Sequence, residues 1–246
     1  MKLIVIILIS VLSSVVWAGT IDPRTDDNKY LEYAQDFIYI GQILGVNSEN
    51  LEYMASGVVI KPNFILTAAH VVDNIKTCKI KVGDKEFPIT KIMYQKEYSQ
   101  NKVGYYDIAI GYSEERIELN FYPELYSKKD EVGKLCCMAG FGFTGTFNTG
   151  AVKSDNRRRA GSNIVDYIDR HLLICSPSIS NNRTSLEFLI ASGDSGGGLF
   201  IDGKLAGINS CVMAANGSPK SDYKTESGHT RISESLEWIL ENTKDK

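Results

Sequence analysis

Ser192-Gly193-Asp194-Ser195-Gly196-Gly197-Gly198 is the stretch on which the reading of this chain turns. Glycine reaches positive φ without steric cost, so a serine set among glycines can sit on a tight bend that approaches another molecule closely. Two further fragments stand upstream, Thr67-Ala68-Ala69-His70 and Asp107-Ile108-Ala109-Ile110. In the order His, Asp, Ser they supply a base, a group to orient the base, and a nucleophile. A serine hydroxyl is a weak nucleophile at neutral pH and needs a base within hydrogen-bond reach. Histidine serves because its ordinary pKa is about 6.5. Taken singly, each fragment has a plainer reading: a core histidine, a strand-edge aspartate in a turn, a glycine-rich loop. Asp166 and Asp169 are weaker rivals to Asp107, since they follow these landmarks rather than lying between His70 and Ser195.

The three fragments resemble the trypsin/chymotrypsin family of serine proteases, and the resemblance runs from about Phe37 to the C-terminus. It implies a secreted serine endopeptidase that hydrolyses peptide bonds through an acyl-enzyme. Ser195 would attack, His70 would shuttle the proton and Asp107 would orient His70. The amides of Gly193 and Ser195 would form an oxyanion hole, stabilising charge that develops only in the transition state. The substrate would be a polypeptide, and neither cofactor nor metal is implied. The alternative is a catalytically inactive binding protein on the same scaffold.

The residues themselves point to an all-β chain. Short runs rich in Ile, Val, Phe and Tyr, parted by Gly, Asn, Asp or Pro, predict strands at Phe37–Leu44, Ala55–Ile60, Phe64–Thr67, Cys78–Val82, Ile108–Gly111, Leu135–Ala139, Ile164–Ile168, His171–Cys175, Gly198–Ile201 and Leu205–Asn209. Asp202-Gly203 reads as a hairpin turn. Near the end, Ser233 is a candidate helix cap, followed by Glu234 and Glu237, with Leu236, Ile239 and Leu240 recurring on one face. The family resemblance organises these elements as two six-stranded antiparallel β-barrels, about 30–120 and about 132–232, and a C-terminal helix over about 233–243. Leu119 to Glu131 reads as the connection, and the active site falls in the cleft between the barrels.

Composition narrows the classes further. With 43% hydrophobic residues the chain can bury a large core, and a net charge of −3 argues against a nucleic-acid partner. Lys2, the mostly apolar run Leu3 to Leu12, and the small residue Ala18 predict a secretory leader cut after Ala18, and hence a secreted or periplasmic protein with no membrane attachment once it is removed. Export permits disulfides. The five cysteines are an odd number, so at least one is free or pairs between chains. Cys136 and Cys137 are adjacent on a predicted strand and should face opposite ways. Asn182 and Asn216 head glycosylation motifs that matter only in a eukaryotic route. Gly140-Phe141-Gly142-Phe143-Thr144-Gly145 formally matches a dinucleotide fingerprint, but no helix is predicted after it, as a phosphate site requires.

Several positions depart from the family pattern. Leu189 stands where trypsin-like members have an aspartate at the base of the specificity pocket, so a Lys or Arg side chain would find no counter-charge. Ser210 resembles the serine that supports the buried aspartate, but Cys211 follows where an aromatic is usual. Val212 could narrow the pocket, and His229 resembles a position near its wall, where it could hydrogen-bond an acidic side chain. The pocket would therefore take a modest apolar or an acidic residue. Val71 and Ile201 occupy places where the family has cysteines. The Ile-Val-Gly-Gly start that follows zymogen cleavage is missing, so the chain is similar to bacterial-type members that need no such step. Asp194 would then require another partner, and Arg157, Arg158 and Arg159 are the candidates.

Overall fold

The computed structural model describes residues 19–178, 181, 183–215 and 220–244. The leader predicted over residues 1–18 and the asparagines Asn182 and Asn216 lie outside the described residues. Two seven-stranded antiparallel sheets form the bulk of the molecule. The first runs in the order Lys85–Pro88, Ile75–Val82, Ile40–Asn47, Glu52–Lys61, Phe64–Thr67, Ala109–Tyr112, Lys91–Tyr94. The second runs Arg159–Ile164, Leu135–Gly140, Gly198–Ile201, Lys204–Ala214, Thr225–Arg231, Leu172–Cys175, Tyr167–Asp169.

Each half has the barrel-like sheet the resemblance implied, with seven strands in place of six. Interruptions account for the difference. Lys85–Pro88 and Lys91–Tyr94 lie at the two edges of the sheet and are parted at Ile89-Thr90, where the Ile89 N–H donates to Cys78 O and the Thr90 N–H to Tyr112 O. The strand predicted over Ile164–Ile168 is broken at Val165-Asp166, where the Asp166 carboxylate accepts the Ser176 N–H at 2.7 Å.

Continuous apolar burial explains why these segments pack: Glu52–Lys61 is buried from Ala55 to Ile60 and Gly198–Ile201 along its whole length. Ile43, Val58, Ile65, Leu66, Ile80, Ile108 and Ile110 are fully buried in the first half; Met138, Leu173, Leu199 and Cys136 are in the second. Each such aliphatic side chain contributes roughly 1.5–3 kcal/mol relative to exposure. Cys136 and Cys137 do face opposite ways. Cys136 Sγ lies in the core, 3.7 Å from Cys175 Sγ, whereas Cys137 Sγ meets the Tyr33 hydroxyl at 2.8 Å. All five cysteines are free thiols. Asp202 and Gly203 take positive φ of 51° and 74°, as a tight hairpin between twisted strands demands.

The terminal helix spans Ile232–Asn242, but Ser233 is not its cap. Arg231 holds the N-cap position, and Ser233 Oγ instead donates to Glu131 at 2.9 Å. Leu240 is half exposed, one residue round from the buried Ile239 and off the packing face. Glu131, at the end of the connection, is buried against Arg231 at 2.9 Å and ties that connection to the helix. Among the described residues no helix is long and apolar enough to cross a membrane.

A third, four-stranded sheet was not foreseen. Thr20–Ile21 lies between Thr144–Thr146, to which it runs parallel, and Phe188–Leu189, to which it runs antiparallel. The residues just after the predicted leader are thus threaded into the second half beside the segment that leads to Ser195.

Candidate active site

His70 sits in a one-turn helix, Ala69–Val72, that follows the strand Phe64–Thr67 directly. That strand pairs with Ala109–Tyr112 so that Thr67 faces Ala109, which brings the residues just beyond each end together. Asp107 then meets two needs. Its Oδ1 accepts the His70 backbone N–H at 2.9 Å, one of the amides a helix start leaves unpaired, and its Oδ2 lies 2.7 Å from His70 Nδ1. The Asp107 side chain is 4% exposed and the His70 side chain 44%, so the carboxylate is enclosed while the imidazole reaches the cleft.

The second half completes the enclosure. Ser210 Oγ donates to Asp107 Oδ2 at 2.6 Å, and Thr230 Oγ1 donates to the Asp107 carbonyl at 3.1 Å. Burial alone would raise the Asp107 pKa, but the His70 ring, Ser210 and the His70 amide together hold it below the ordinary carboxylate value. Burial pulls His70 down, and the hydrogen bond and charge of Asp107 outweigh it, leaving the imidazole above its ordinary value. Asp107 Oδ2 acts as acceptor, so the Nδ1 side carries the proton and Nε2 is left as the basic nitrogen.

Ser195 is reached from the other direction. Gly196 N–H donates to Asn209 O and Asn209 N–H to Gly197 O, both at 2.8 Å, pinning the loop beside the strand that carries Ser210. Gly193 and Gly196 have φ of +85° and +84°, and a Cβ at Gly196 would lie 2.1 Å from Ser56 O. Only glycine fits there. Among the described residues, neither the Gly193 N–H nor the Ser195 N–H has a hydrogen-bond partner. Nor does Ser195 Oγ hydrogen-bond to His70 among these residues; such bonds are often long before substrate arrives.

The structure thus brings His70, Asp107 and Ser210 into one network and leaves the two candidate oxyanion amides free. A cleft of about 250 Å³ lined by His70, Tyr98, Lys102, Asp107, Ser210 and Cys211 adjoins one of about 470 Å³ lined in part by Val103, Gly104, Leu172, Val212 and Met213. Neither is lined by Leu189 or His229. Leu189 is 1% exposed and held in the strand opposite Thr20. His229 is fully buried, with Nδ1 at 2.9 Å from Asn209 Oδ1 and Nε2 at 3.0 Å from Ser227 Oγ, and burial pushes its pKa down to about 3. The glycine segment Gly140–Gly145 leads from one strand into another, Thr144–Thr146, with no helix to receive a phosphate.

The arginine partner expected for Asp194 is not present. Arg159 is engaged by Asp27 at 2.7 Å and Asp155 at 2.8 Å, and Arg158 donates to the carbonyls of Ala34 and Ile40. Arg157 makes no bond to Asp194 either. These nearer acceptors take the guanidinium groups, so Arg159 acts on Asp194 only as a charge beyond contact. Asp194 is buried and accepts three backbone N–H groups: Gly142 at 2.8 Å, Ala191 at 3.1 Å and Gly19 at 3.1 Å. Burial raises its pKa to about 7 in spite of them. Sequence reasoning missed Gly19, Thr230 and Ser56. Each lies remote in sequence from the residue it holds, and no local motif announces such a contact.

The β architecture and the cleft between the halves are those of the trypsin-type serine protease fold. The trypsin family model matches residues 33–239, and the chain belongs to that family. It is 28% identical to chymotrypsin-like elastase family member 1 of Macaca fascicularis, across 76% of this chain and 77% of the relative. It is 25% identical to chymase of Papio hamadryas, across 82% and 83%. Among solved structures it resembles mouse neuropsin, with a TM-score of 0.65 at 18% identity over 82% of this chain and 94% of the other. It also resembles HL collagenase, with a TM-score of 0.67 at 18% identity over 85% and 95%.

Proposed function

We propose that this protein is a secreted serine endopeptidase working through an acyl-enzyme. Ser195 Oγ attacks the peptide carbonyl as His70 Nε2 takes its proton, and the same proton passes to the leaving amine. Asp107 keeps the ring in the needed tautomer and stabilises the imidazolium. The Gly193 and Ser195 amides receive the oxyanion. The observation that carries this reading is the pair of hydrogen bonds between Asp107 and His70, one carboxylate oxygen on the ring and the other on the backbone N–H. No resident cofactor has a part in it.

Enclosure of Leu189 and the commitment of both His229 nitrogens favour a modest apolar side chain before the cut bond over an acidic one. A neutral, buried imidazole offers no positive charge to a carboxylate. Leader removal after Ala18 would also leave Gly19 as the first residue, its nitrogen already at Asp194. Activity would then need no further cut.

The second reading, an inactive binding protein on this scaffold, draws on the missing Ser195–His70 hydrogen bond. Labelling by a fluorophosphonate separates the two. Covalent capture at Ser195 that is lost in Ser195→Ala supports the peptidase; an unlabelled, folded wild type supports the binding protein.

A further inference from the structure

We propose that Ser56 is a positioning residue for the oxyanion amides, acting across the two halves of the molecule; the inference rests on the peptidase reading above. Ser56 lies in the strand Glu52–Lys61 of the first half and is fully buried. Every polar atom it has is engaged at the Ser195 loop or its supports. Its Oγ donates to the Gly193 carbonyl at 2.7 Å and accepts the Phe141 N–H at 2.9 Å. Its own N–H donates to the Ser195 carbonyl at 2.9 Å. Its carbonyl accepts Thr67 Oγ1 at 2.9 Å, close under Gly196.

The order of peptide planes gives these bonds their meaning. The Ser195 N–H belongs to the peptide joining residues 194 and 195. The planes on either side carry the Gly193 and Ser195 carbonyls, and Ser56 holds both of them. The middle plane is held by its own carbonyl, which accepts the Gly197 N–H at 2.9 Å. With the Asp194 carbonyl committed to Gly197 and the planes on both sides held by Ser56, the Ser195 N–H, anti to that carbonyl in the same trans peptide, is fixed in the opposite direction.

Gly193 needs such restraint. At φ +85° and without a Cβ, its flanking peptides can rotate with little steric resistance. A rotated plane would turn an oxyanion donor away from the place where charge develops. The hydroxyl also fixes Phe141, whose neighbour Gly142 donates to Asp194 at 2.8 Å. One side chain therefore couples the loop before Ser195 to the segment that holds Asp194. Removing it takes the partner from the part-buried Gly193 carbonyl and Phe141 amide at once.

The test compares the purified, processed wild type with Ser56→Ala. It measures kcat and KM on a peptide substrate, together with inhibition by a peptide aldehyde and by a non-covalent peptide amide of the same sequence. The aldehyde forms a tetrahedral adduct that uses the oxyanion amides; the amide does not. The expected result is a fall in kcat of about 10-fold or more with KM little changed, since loss of a whole oxyanion donor costs about 100- to 1,000-fold. Aldehyde affinity should fall in step with kcat/KM while amide affinity holds. Unchanged kcat, or equal weakening of both inhibitors, overturns the proposal. Should Ser56→Ala fail to fold, Ser56→Thr and Ser56→Val form an isosteric pair differing in the hydroxyl. Activity kept by Thr and lost by Val supports the role, and equal activity overturns it. A wild type that neither turns over nor reacts with a fluorophosphonate overturns the peptidase reading and this inference with it. A labelled, active wild type with an unaffected Ala variant overturns the inference alone.

Discussion

The backbone nitrogen of Gly19 lies 3.1 Å from Oδ2 of Asp194, inside the fold and immediately after the predicted leader. Asp194 has amide donors but no cation in contact, and burial lifts its pKa to about 7. Hydrolysis of the Ala18–Gly19 bond by a leader peptidase adds one water and yields an Ala18 carboxylate and a Gly19 ammonium. That ammonium would supply the charge Asp194 lacks in contact. A group whose folded pKa lies above its unfolded value, about 3.9 for aspartate, contributes stability below that pH and loses it as pH rises through the folded pKa. A protein kept extended by one residue before Gly19 should therefore lose thermal stability between about pH 4 and 7. The protein beginning at Gly19 should not, because its ammonium holds the carboxylate ionised. Superimposable Tm–pH profiles for the two would sink the pairing. The extended form should also be the less active.

Gly19 has no room for a side chain. A Cβ there would lie 2.5 Å from Asp194 Oδ2 and 2.9 Å from the Phe188 ring. Gly19→Val should lower Tm and cut activity by at least an order of magnitude, the side chain forcing the terminus away from Asp194. A variant of full activity and wild-type Tm would mean that the terminus does not occupy this place during catalysis.

Ser195→Ala should remove turnover by several orders of magnitude while leaving the fold and Tm nearly unchanged, because residues acting as a unit lose most of their effect together. His70→Ala should do the same, and the double variant should be little worse than either single one. Steady-state rates with circular dichroism on the same samples check this. Near-normal turnover in Ser195→Ala would reassign the nucleophile.

The pH profile of kcat/KM should fall on the acid side as His70 takes up a proton. Asp107 holds that imidazole above its ordinary value of about 6.5, so the midpoint should lie above that figure. Asp107→Asn removes the counter-charge and should move the midpoint to lower pH while reducing the plateau rate. A rate flat down to pH 4 would exclude His70 as the base.

How much of this was legible in the sequence depends on whether a contact is local. The strands predicted over Phe64–Thr67 and Gly198–Ile201 match the observed limits, because a short continuous apolar run is written in consecutive residues. His70, Asp107 and Ser210 were found because each carries a local motif and the sheet register brings the motifs together. Thr20–Ile21 was missed as a strand, since two residues show no period and their partners lie far along the chain. The Asp194 partner was misassigned for a related reason. Three consecutive arginines look like available charge, but Asp27 and Asp155 claim Arg159, and the backbone nitrogen that does reach Asp194 leaves no signature. Ser56 reads as one polar residue in an apolar strand, and its role exists only once two halves meet.

The specificity proposed above turns on three side chains, Leu189, His229 and Val212. Leu189 is 1% exposed and paired across from Thr20, so it cannot swing aside without disturbing the strand that leads to Gly19. No acidic group was expected there, and Leu189 provides none. A Lys or Arg side chain would have to shed its hydration without a partner, at a cost of several kcal/mol. His229 has its nitrogens turned to Asn209 and Ser227 and is neutral, with a pKa pushed down to about 3, so acidic side chains gain no charge there. Val212 is half-buried and lines the larger of the two adjoining clefts. A peptide-library profile should therefore favour small or medium apolar residues before the cut bond, with Lys and Arg disfavoured by about 100-fold or more, the discrimination an uncompensated buried charge supports. Val212→Gly should broaden the profile toward larger apolar residues, since removing a side chain of that size admits one or two methylenes worth about 1–3 kcal/mol. A wild-type preference for Lys or Arg would overturn this account of the pocket, whatever the fate of the other assignments.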